Sequence, residues 1–390
     1  MTKVQTFIAL IRVAMGREAQ LPLMPTDAQW EDLFRMAQEQ ALVGVCFAGL
    51  QRLREQGVCP PRPLYMQWLA MAAQTLQRNE QMNLWSVEIC KEIEASGIPC
   101  CILKGQAMAA LYKAPHPPLK GDSSLGDDAA GTDLSLLRQV GDIDVWMLAT
   151  HREVVRWGQE HGGVWFYDYH HADLMGFHDA DVELHYRPTL SRNLWRNARL
   201  QQWLKKEGKN LIVSGEVFPV PTSEFALILT LNHNFWHLMY EGVGMRQMMD
   251  LYFVLRSLTP GPSPNGEGSN YNRLIRHFRL MRFARASMWV MQEVFGLERE
   301  YMVCEPDDRS GRFLLREIMQ AGNFGHADAR LSNERYKNRV ALMWGWMRHT
   351  WRLLRYYPAD VLWTPVGVLY ISLWRRWHYR FDNIKLDIRK

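Results

Sequence analysis

The sequence has few cysteines, and none of them forms a recognisable site. Six cysteines occur among 390 residues, and no two stand at the CxxC spacing that zinc ribbons and thioredoxin-like redox motifs require. The adjacent Cys100 and Cys101 lie inside an apolar run, which is typical of buried, reduced thiols. This cysteine usage predicts a protein of a reducing compartment such as the cytoplasm.

The sequence also lacks long hydrophobic runs and a strong excess of either charge. The longest apolar stretch, residues 361–374, is too short to span a bilayer and contains Pro365 and Gly367. Residues 6–15 are apolar but contain Arg12, and no small-residue cleavage site follows. We therefore expect no secretory signal and a cytoplasmic location. A net charge of +5 is too small to indicate nucleic-acid binding by itself.

The distribution of apolar residues divides the chain into three predicted regions. Residues 1–96 have helical spacing of apolar side chains. Residues 97–221 contain short strand-like runs separated by turns, which predicts an α/β core. Residues 222–390 return to helical spacing. The predicted fold class is therefore α+β, a small mixed sheet flanked by N-terminal and C-terminal helical regions.

Individual elements follow from periodicity and turn residues. Thr26 predicts the start of a helix, Thr222 predicts another, and residues 63–94 predict one long helix or two. Residues 106–112, rich in Ala and Met, predict a helix after a glycine turn. Strands are predicted where short apolar or alternating runs end at turn residues: 99–103, 140–147, 164–169, 173–177, 181–186, 211–213 and 217–220.

Two segments have a composition that cannot build a core. Residues 115–133 are rich in Pro, Gly, Ser and Asp, and residues 259–270 have the sequence TPGPSPNGEGSN. We predict that both are surface loops, the first inserted into the central region and the second into the C-terminal region.

One tripeptide, Asp142-Ile143-Asp144, carries the strongest functional signal. It lies in the predicted strand 140–147, where residues two apart share one face. Asp142 and Asp144 are therefore expected on one face, with Ile143 and Val145 toward the core. Two adjacent carboxylates repel each other unless a cation neutralises them, which favours Mg²⁺ and a phosphate-bearing substrate. An isolated Asp-x-Asp is otherwise ordinary surface decoration.

Residues on either side of this pair add to the signal. Lys104 and Gly105 end one predicted strand and open a helix, where backbone amides can approach a phosphate. Glu183 and His185 share a face of the predicted strand 181–186. If that strand lies beside the aspartate strand, Glu183 supplies a third carboxylate, and three carboxylates can hold two Mg²⁺ ions. His185 is then either a supporting residue of the site or a packing residue.

The order of these motifs resembles the nucleotidyltransferase superfamily, and within it a group of uncharacterised bacterial nucleotidyltransferases with a Leu-Lys-Gly motif. The matching segments are Leu103-Lys104-Gly105, then Arg138 followed by Gly141-Asp142-Ile143-Asp144, then Glu183-Leu184-His185-Tyr186. His233 and the pair Arg246 and Asp250 are similar to elements of the same group's helical region. The resemblance covers most of the chain.

This resemblance implies an enzyme that transfers a nucleoside monophosphate from an NTP such as ATP to an unidentified hydroxyl acceptor, with release of pyrophosphate. Asp142, Asp144 and Glu183 would be the catalytic acids and the metal ligands, with two Mg²⁺ ions as cofactors. The residues implied to contact the nucleotide or support the site are Lys104, Gly105, Arg138, Gly141 and His185. The implied partners are the NTP and an acceptor, with a small molecule favoured.

Three alternatives stay open. A haloacid-dehalogenase-like phosphatase also uses Asp-x-Asp, but Gln139 and Gly141 interrupt the apolar strand that it requires before the first Asp. A sugar transferase with a metal-binding Asp-x-Asp would place more strands ahead of Asp142. A degenerate nucleotidyltransferase fold would bind a nucleotide or a partner protein without turnover, although retention of all three acids argues against it.

Two patterns in the C-terminal region have plain structural interpretations. His233 and His237 are one helical turn apart, with Glu241 a further turn along, but no HExxH motif is present. We favour partly buried histidines over a zinc site. Arg246 and Asp250 have the same spacing and predict an ion pair within one helix.

The last fifty residues are rich in tryptophan and arginine. A membrane-surface helix or an RNA-stacking face would have this composition. A helical core covered by arginine stems would have it too, and we favour that interpretation. The tryptophans concerned are Trp344, Trp346, Trp351, Trp363, Trp374 and Trp377.

Overall fold

The computed structural model of the protein describes residues 2–113, 133–260, 269–328 and 339–381; of 339–346 and 381 only the backbone is described. Helical regions precede and follow a five-stranded mixed sheet. This is the α+β class that the sequence predicted.

The described chain ahead of the sheet is helical. Its helices are α1 (Lys3–Ala14), α2 (Asp27–Glu39), α3 (Val43–Glu55) and α4 (Arg62–Ala95). Thr26 and Gln29 exchange hydrogen bonds in a capping box, so α2 begins where the sequence predicted. The region predicted as one long helix or two is the single helix α4.

The sheet places two strands that are distant in the sequence side by side. Its order is β1-β2-β5-β4-β3, with β1 (Cys100–Ile102), β2 (Ile143–Met147), β3 (Val164–Tyr167), β4 (His171–Leu174) and β5 (Val182–His185). β2 and β5 run parallel, with Asp144 directly beside Glu183. The other neighbouring strands run antiparallel. Ile143, Val145 and Leu184 contribute to the main apolar core.

Two strand predictions differ most from the structure. The strand predicted over 140–147 begins only at Ile143, so Asp142 lies in the loop before it. The strand predicted over 173–177 lies at His171–Leu174. Its pairing with β5, from His171 opposite His185 onward, decides where it begins and ends. Alternation in the sequence cannot supply that information, because it does not show which residues have a partner strand.

The remaining elements of the central region are three helices and a hairpin. They are α5 (Gln106–Ala109), α6 (His151–Glu160), α7 (Leu194–Glu207), and the antiparallel hairpin of β6 (Ile212–Ser214) and β7 (Pro219–Pro221). The hairpin was predicted. The helix predicted over 106–112 is shorter than expected, because the four-residue α5 gives way to a 3-10 turn, Ala110–Lys113.

Helices make up most of the described chain after the sheet. They are α8 (Ser223–Tyr240), α9 (Met245–Ser257), α10 (Asn270–His277), α11 (Met281–Phe295), α12 (Asp308–Ala321), and two further helices, Arg339–Leu354 and Pro358–Phe381. Thr222 accepts a hydrogen bond from the backbone N–H of Phe225 and caps α8, as predicted. Among the described helices, none has the length and apolar character needed to cross a bilayer.

One large apolar core runs through all three predicted regions. It includes Leu10 and Trp68 from the N-terminal helices, Val145 from the sheet, and Leu231 and Met291 from later helices. The division at 96–97 and 221–222 stays a prediction, and apolar packing is continuous across both positions.

The two predicted loops fall mainly outside the described residues. Of 115–133 only Asp133 is described, and of 259–270 only the ends are. Ser269 accepts a hydrogen bond from the backbone N–H of Asn272 and caps α10. The end of the second segment is therefore the start of a helix.

Candidate active site

Neighbouring strands bring two of the predicted site residues together. Asp144 on β2 lies directly beside Glu183 on β5, and directly paired residues of adjacent strands share a face. Ile143 and Val145 pack into the main core. Asp144 therefore projects from the other face, where it is only 2% exposed. The two strands are placed next to each other, as the prediction of a third carboxylate required.

Both carboxylates line a cavity of about 350 Å³. Ligand atoms of Asp144, Glu183 and His185 all lie within 4.8 Å of one another. Asp142 lines the same cavity from the loop before β2, but it is exposed and stands outside that group. The cavity thus receives all three predicted acids, with two close together and the third at its edge.

Two basic side chains of the chain itself contact the buried carboxylates. Lys104 Nζ is 2.7 Å from Asp144 Oδ1. His185 Nε2 is 2.8 Å from the same oxygen and 3.1 Å from Glu183 Oε2. These contacts fall on one oxygen of each carboxylate. The cluster is therefore balanced in charge by its own bases.

The contacts within this cluster keep Lys104, His185 and Glu183 ionised. Burial alone would lower the pKa of His185, but its hydrogen bonds to Asp144 and Glu183 outweigh burial and raise it to about 9. Burial alone would raise the pKa of Glu183, but the hydrogen bond from His185 lowers it to about 2. Burial also opposes the charge on Lys104, yet the nearby carboxylates, Asp144 foremost, raise its pKa. At neutral pH, Lys104 and His185 are therefore cations and Glu183 is an anion.

The turn after β1 brings backbone against the acids. Gly105 has a φ of +56°, and a Cβ at this position would lie 3.3 Å from the backbone oxygen of Asp142. The N–H of Leu103 donates to the backbone oxygen of Asp144 at 2.8 Å, which ties the turn to β2. Because α5 has only four residues, its dipole contributes less than the longer predicted helix would. The backbone of the turn at Gly105, rather than the helix dipole, is therefore the main feature available to bind an anion here.

Arg138, implied by the resemblance to contact the nucleotide, has a protein partner. Its Nε and Nη2 donate to the two oxygens of Asp250 at 2.7 and 2.8 Å, in a buried bidentate pair. The hydroxyl of Tyr112 also donates to Asp250, at 2.7 Å. The predicted pair of Arg246 with Asp250 is therefore wrong. Arg246 Nη1 donates instead to the backbone oxygen of Gln139 at 2.8 Å.

Arg246 is a buried cation on the cavity wall. It is 6% exposed, and its Nε has no hydrogen-bond partner among the described residues. Burial and the positive charge of Arg138 lower the pKa of Arg246, to about 10. It is still protonated at neutral pH, so an anion in the cavity would gain from its charge.

Helix α8 lines another part of the cavity with the histidines that the sequence singled out. His237 Nδ1 is 2.9 Å from Glu241 Oε2, and its Nε2 is 2.9 Å from His233 Nε2. Burial lowers the pKa of His233 well below its ordinary value, so this ring is neutral. In the described part of the chain these residues belong to no group with metal-ligand spacing. His233 is partly buried and His237 is buried, in line with the interpretation of these residues as partly buried histidines.

Sequence reasoning assigned no role to His170 and His171, but both line the cavity. His171 begins β4 and stands opposite His185 on β5. His171 and Asp173 are two residues apart, and this spacing could have shown that both lie on one face of the strand. The strand was predicted to begin only at Asp173, so the signal was missed.

Comparison with known proteins gives one finding about the family. A family model described as an uncharacterised nucleotidyltransferase matches residues 26–123 and 115–296, more than half of the chain. The chain belongs to this nucleotidyltransferase family. The matched segments of the nucleotidyltransferase include Lys104, just after β1, as well as Asp144 on β2 and Glu183 on β5. Searches of curated proteins and of solved structures returned no match.

Proposed function

We propose that this nucleotidyltransferase moves a nucleoside monophosphate from an NTP to a hydroxyl group of a small molecule, with Mg²⁺ as cofactor. The observation that carries the proposal is the in-register pair of Asp144 and Glu183 beside the Gly105 turn. Family membership supports nucleotidyl transfer in general. The geometry of the cavity supports the metal and the residue roles.

The donor atoms around the cavity fit an oxygen-preferring divalent cation. Carboxylate oxygens are the ligands that Mg²⁺ prefers. The contacts of Lys104 and His185 fall on Asp144 Oδ1 and Glu183 Oε2, and each carboxylate has a second oxygen outside these contacts. Asp142 adds an exposed carboxylate at the edge of the same cavity. Asp142, Asp144 and Glu183 would thus hold Mg²⁺.

In the proposed reaction, the acceptor oxygen attacks the α-phosphorus of the NTP, and its proton is lost to solvent. The bond from that phosphorus to the bridging oxygen breaks, and pyrophosphate leaves. Bound Mg²⁺ would neutralise the triphosphate and lower the pKa of the acceptor hydroxyl. Glu183, which is anionic at neutral pH, would accept a hydrogen bond from that hydroxyl and orient it.

Positive charge for the triphosphate comes from two elements of the protein. Lys104 lies at the cavity beside Asp144 and would contact phosphate oxygens. Arg246 on α9 adds a buried guanidinium with an unused Nε–H. Gly105 allows the backbone of the turn to come close, since no side chain stands in the way. Together they would orient the α-phosphorus toward the acceptor.

The test is nucleotide transfer by the purified protein. The protein is incubated with Mg²⁺, one α-labelled NTP at a time and the small-molecule fraction of a cell extract, and labelled products and pyrophosphate are measured. We expect a labelled product together with pyrophosphate. Asp144→Asn should reduce both by roughly 100-fold or more, because it removes a charge that stabilises the transition state.

The matched control is Asp181→Asn, which removes an exposed carboxylate just before β5. It should leave turnover unchanged, and circular dichroism should show that both variants fold. Equal turnover of Asp144→Asn and wild type would overturn the assignment of the acids.

A nucleotide-binding protein without turnover is the second candidate, and one observation favours it. Lys104 and His185 already neutralise Asp144, so the cluster is balanced without a metal. This candidate predicts that a non-hydrolysable NTP binds equally well with and without Mg²⁺ in calorimetry, and that no pyrophosphate appears. Release of inorganic phosphate from a simple phosphate ester would instead indicate the phosphatase alternative.

A further inference from the structure

Three histidines of the cavity form a cluster that the proposed transfer does not explain. His170 lies in the turn before β4, His171 begins β4, and His185 ends β5. The ring centroids of His170 and His171 are 4.2 Å apart, and each lies 5.4 to 5.5 Å from the ring of His185. We call these three residues the histidine cluster.

The hydrogen bonds show where the lone pairs of the rings lie. His171 Nε2 is 3.1 Å from a carboxylate oxygen of Asp173, so this nitrogen carries a proton. In the neutral ring, His171 Nδ1 then accepts from His170 Nε2, 2.9 Å away. The lone pair of neutral His170 is consequently on Nδ1, which is buried and has no partner in the described chain. His185 Nδ1 is also buried without one.

We propose that the histidine cluster, together with Glu183, binds a divalent cation that prefers nitrogen ligands, with Zn²⁺ as the probe. Ligand atoms of the three histidines lie within 4.8 Å of one another. Glu183 belongs to two further groups with this spacing, one with Asp144 and His185 and one with His171 and Asp173. Imidazole nitrogen suits Zn²⁺ and other first-row transition metals, whereas Mg²⁺ prefers oxygen. A bound cation would also satisfy the buried Nδ1 of His170, and His185 would release a proton on binding it.

One histidine of the cluster already has a supporting carboxylate. Asp173 holds Nε2 of His171, which is the support that a metal-binding histidine usually has. A cation here would join the turn before β4 to the end of β5. Because it would bind only the folded chain, it should raise the melting temperature. The inference goes beyond nucleotidyl transfer, since it concerns the metal alone and no nucleotide.

The test measures metal binding directly. Chelator-treated protein in excess Mg²⁺ is titrated with Zn²⁺ by calorimetry, and with Co²⁺ while its visible absorption is recorded. We expect one tight ion per chain, a higher melting temperature, and the strong Co²⁺ bands of low-coordinate nitrogen ligation. His170→Gln and His171→Gln should each weaken Zn²⁺ binding by roughly tenfold or more. The control His178→Gln changes an exposed histidine and should bind like wild type.

Several results would overturn the metal site. They are no binding by the wild type, a weak Co²⁺ spectrum typical of six oxygen ligands, or unchanged affinity in both cluster variants. The wild-type Co²⁺ spectrum decides the matter even if a variant does not fold. Loss of the metal site would leave the nucleotide experiment unaffected, since that experiment reports pyrophosphate in Mg²⁺ alone.

A separate feature is an apolar stripe on the last described helix, Pro358–Phe381. Its residues are spaced to share one side of the helix and are 46% to 70% exposed: Leu362, Val366, Leu369, Leu373 and Trp377. Trp374 instead packs against His151 and Tyr169. The interpretation of these tryptophans as core is therefore wrong for Trp377, and also for Trp351, which is 76% exposed. The side chains of Trp344 and Trp346 are outside the described residues.

The charge around this stripe favours one kind of binding partner. Residues 361–381 contain no Asp or Glu, and Arg375 and Arg376 stand next to Trp377 in the sequence. Exposed aliphatic side chains, tryptophan and arginine without acids suit an anionic lipid surface. Two copies paired in parallel along the stripe would place the same arginines side by side. We infer that this helix lies on anionic phospholipid, with its apolar side at the acyl boundary.

The test is sedimentation of the full chain with vesicles. We expect binding to vesicles that contain phosphatidylglycerol, weaker binding at high salt, and little binding to phosphatidylcholine alone. The double variant Leu369→Glu/Leu373→Glu should lose binding, while Leu84→Glu, an equally exposed leucine on α4, should keep it. No vesicle binding, equal binding by both variants, or a dimer that only the stripe variant dissociates would overturn the inference.

Discussion

Two arginines on the cavity wall show how a partner decides the role of a buried charge. Burial opposes the positive charge of both Arg138 and Arg246. At Arg138 the carboxylate of Asp250 outweighs burial and raises the pKa. At Arg246 burial and the positive charge of Arg138 lower the pKa. The charge of Arg138 is therefore matched by Asp250, whereas Arg246 lines the cavity with an Nε that has no partner in the described chain. The contact of Arg138 with the nucleotide stays a prediction.

The Arg138–Asp250 pair gives a prediction for stability. Asp250→Ala should lower the free energy of unfolding by about 3–5 kcal/mol, because it leaves a buried guanidinium without its carboxylate. Urea denaturation followed by circular dichroism measures the change. Asp308→Ala, which removes the exposed partner of Arg312, is the control and should have little effect. Similar losses in the two variants would show that the buried pair is not decisive.

The glycine turn beside the acids gives a second prediction. Gly105→Ala should destabilise the protein by roughly 1–3 kcal/mol, since an alanine must adopt a positive φ and approach the backbone oxygen of Asp142. Gly97 also has a positive φ, but nothing lies within 4 Å of a Cβ there. Thermal melting should therefore show a larger loss for Gly105→Ala than for Gly97→Ala. The reverse order would rule out crowding at the turn.

For single residues, the sequence was informative where spacing alone decides which face of a strand a side chain occupies. The alternation around Asp144 and Glu183 predicted that each would leave the core face of its strand. The partner of Asp250 could not be predicted, because Arg138 comes from a distant segment and displaces the i,i+4 neighbour Arg246. Competition between partners depends on distances in space, which a local pattern does not contain.

Among the elements, α6 packs against the sheet through a glycine. A Cβ on Gly158 would lie 2.7 Å from Val164 Cγ2 and 3.1 Å from Leu184 Cδ1. Contact of this kind fixes the helix over β3 and β5 at a short distance. It also holds the strand that carries Glu183 from the side opposite the cavity.

We expect Gly158→Ala to destabilise the protein by about 1–3 kcal/mol through overpacking, although alanine is the better helix former. Denaturant unfolding measures the loss. The double variant Gly158→Ala/Val164→Ala should recover part of it, because it removes the nearest methyl group. A stabilised Gly158→Ala would mean that α6 moves away without cost.

Element boundaries were predictable only where a local cap sets them. Thr26 and Thr222 supply side-chain oxygens to free N–H groups, so the starts of α2 and α8 follow from sequence. Strands have no such local signal. β4 begins at His171 because β5 extends alongside it as far as His185, and that partner is not visible in β4's own residues.

At the scale of the whole molecule, charged contacts join the first helix to the late helices. Arg17, just after α1, is 2.8 Å from Glu298 Oε1, and Arg256 at the end of α9 is 3.0 Å from the same oxygen. Arg17 also donates to the hydroxyl of Tyr252. The N-terminal and C-terminal regions are thus linked through Glu298 as well as through the shared core.

This link predicts a dependence of stability on pH. Burial would raise the pKa of Glu298, but Arg17 outweighs it and the net pKa is lowered. A lowered folded pKa stabilises the protein above the unfolded value of about 4.3, and this stability is lost as pH falls through the folded pKa. Glu298→Gln should therefore show a shallower loss of unfolding free energy than wild type between about pH 5 and pH 3.

The control for that experiment is Glu300→Gln, which changes an exposed glutamate two residues away. Its pH profile should follow that of the wild type. If Glu298→Gln also follows the wild type, the contact with Arg17 does not contribute to acid sensitivity.

The parallel pairing of β2 with β5 also has a consequence for synthesis of the chain. Parallel neighbours need a crossover, and here α6, β3 and β4 all intervene before β5 is made. A nascent polypeptide that has left the ribosome only as far as β2 carries Asp142 and Asp144 without Glu183. These two acids therefore lack the third until α6, β3, β4 and β5 have emerged and β5 has paired with β2.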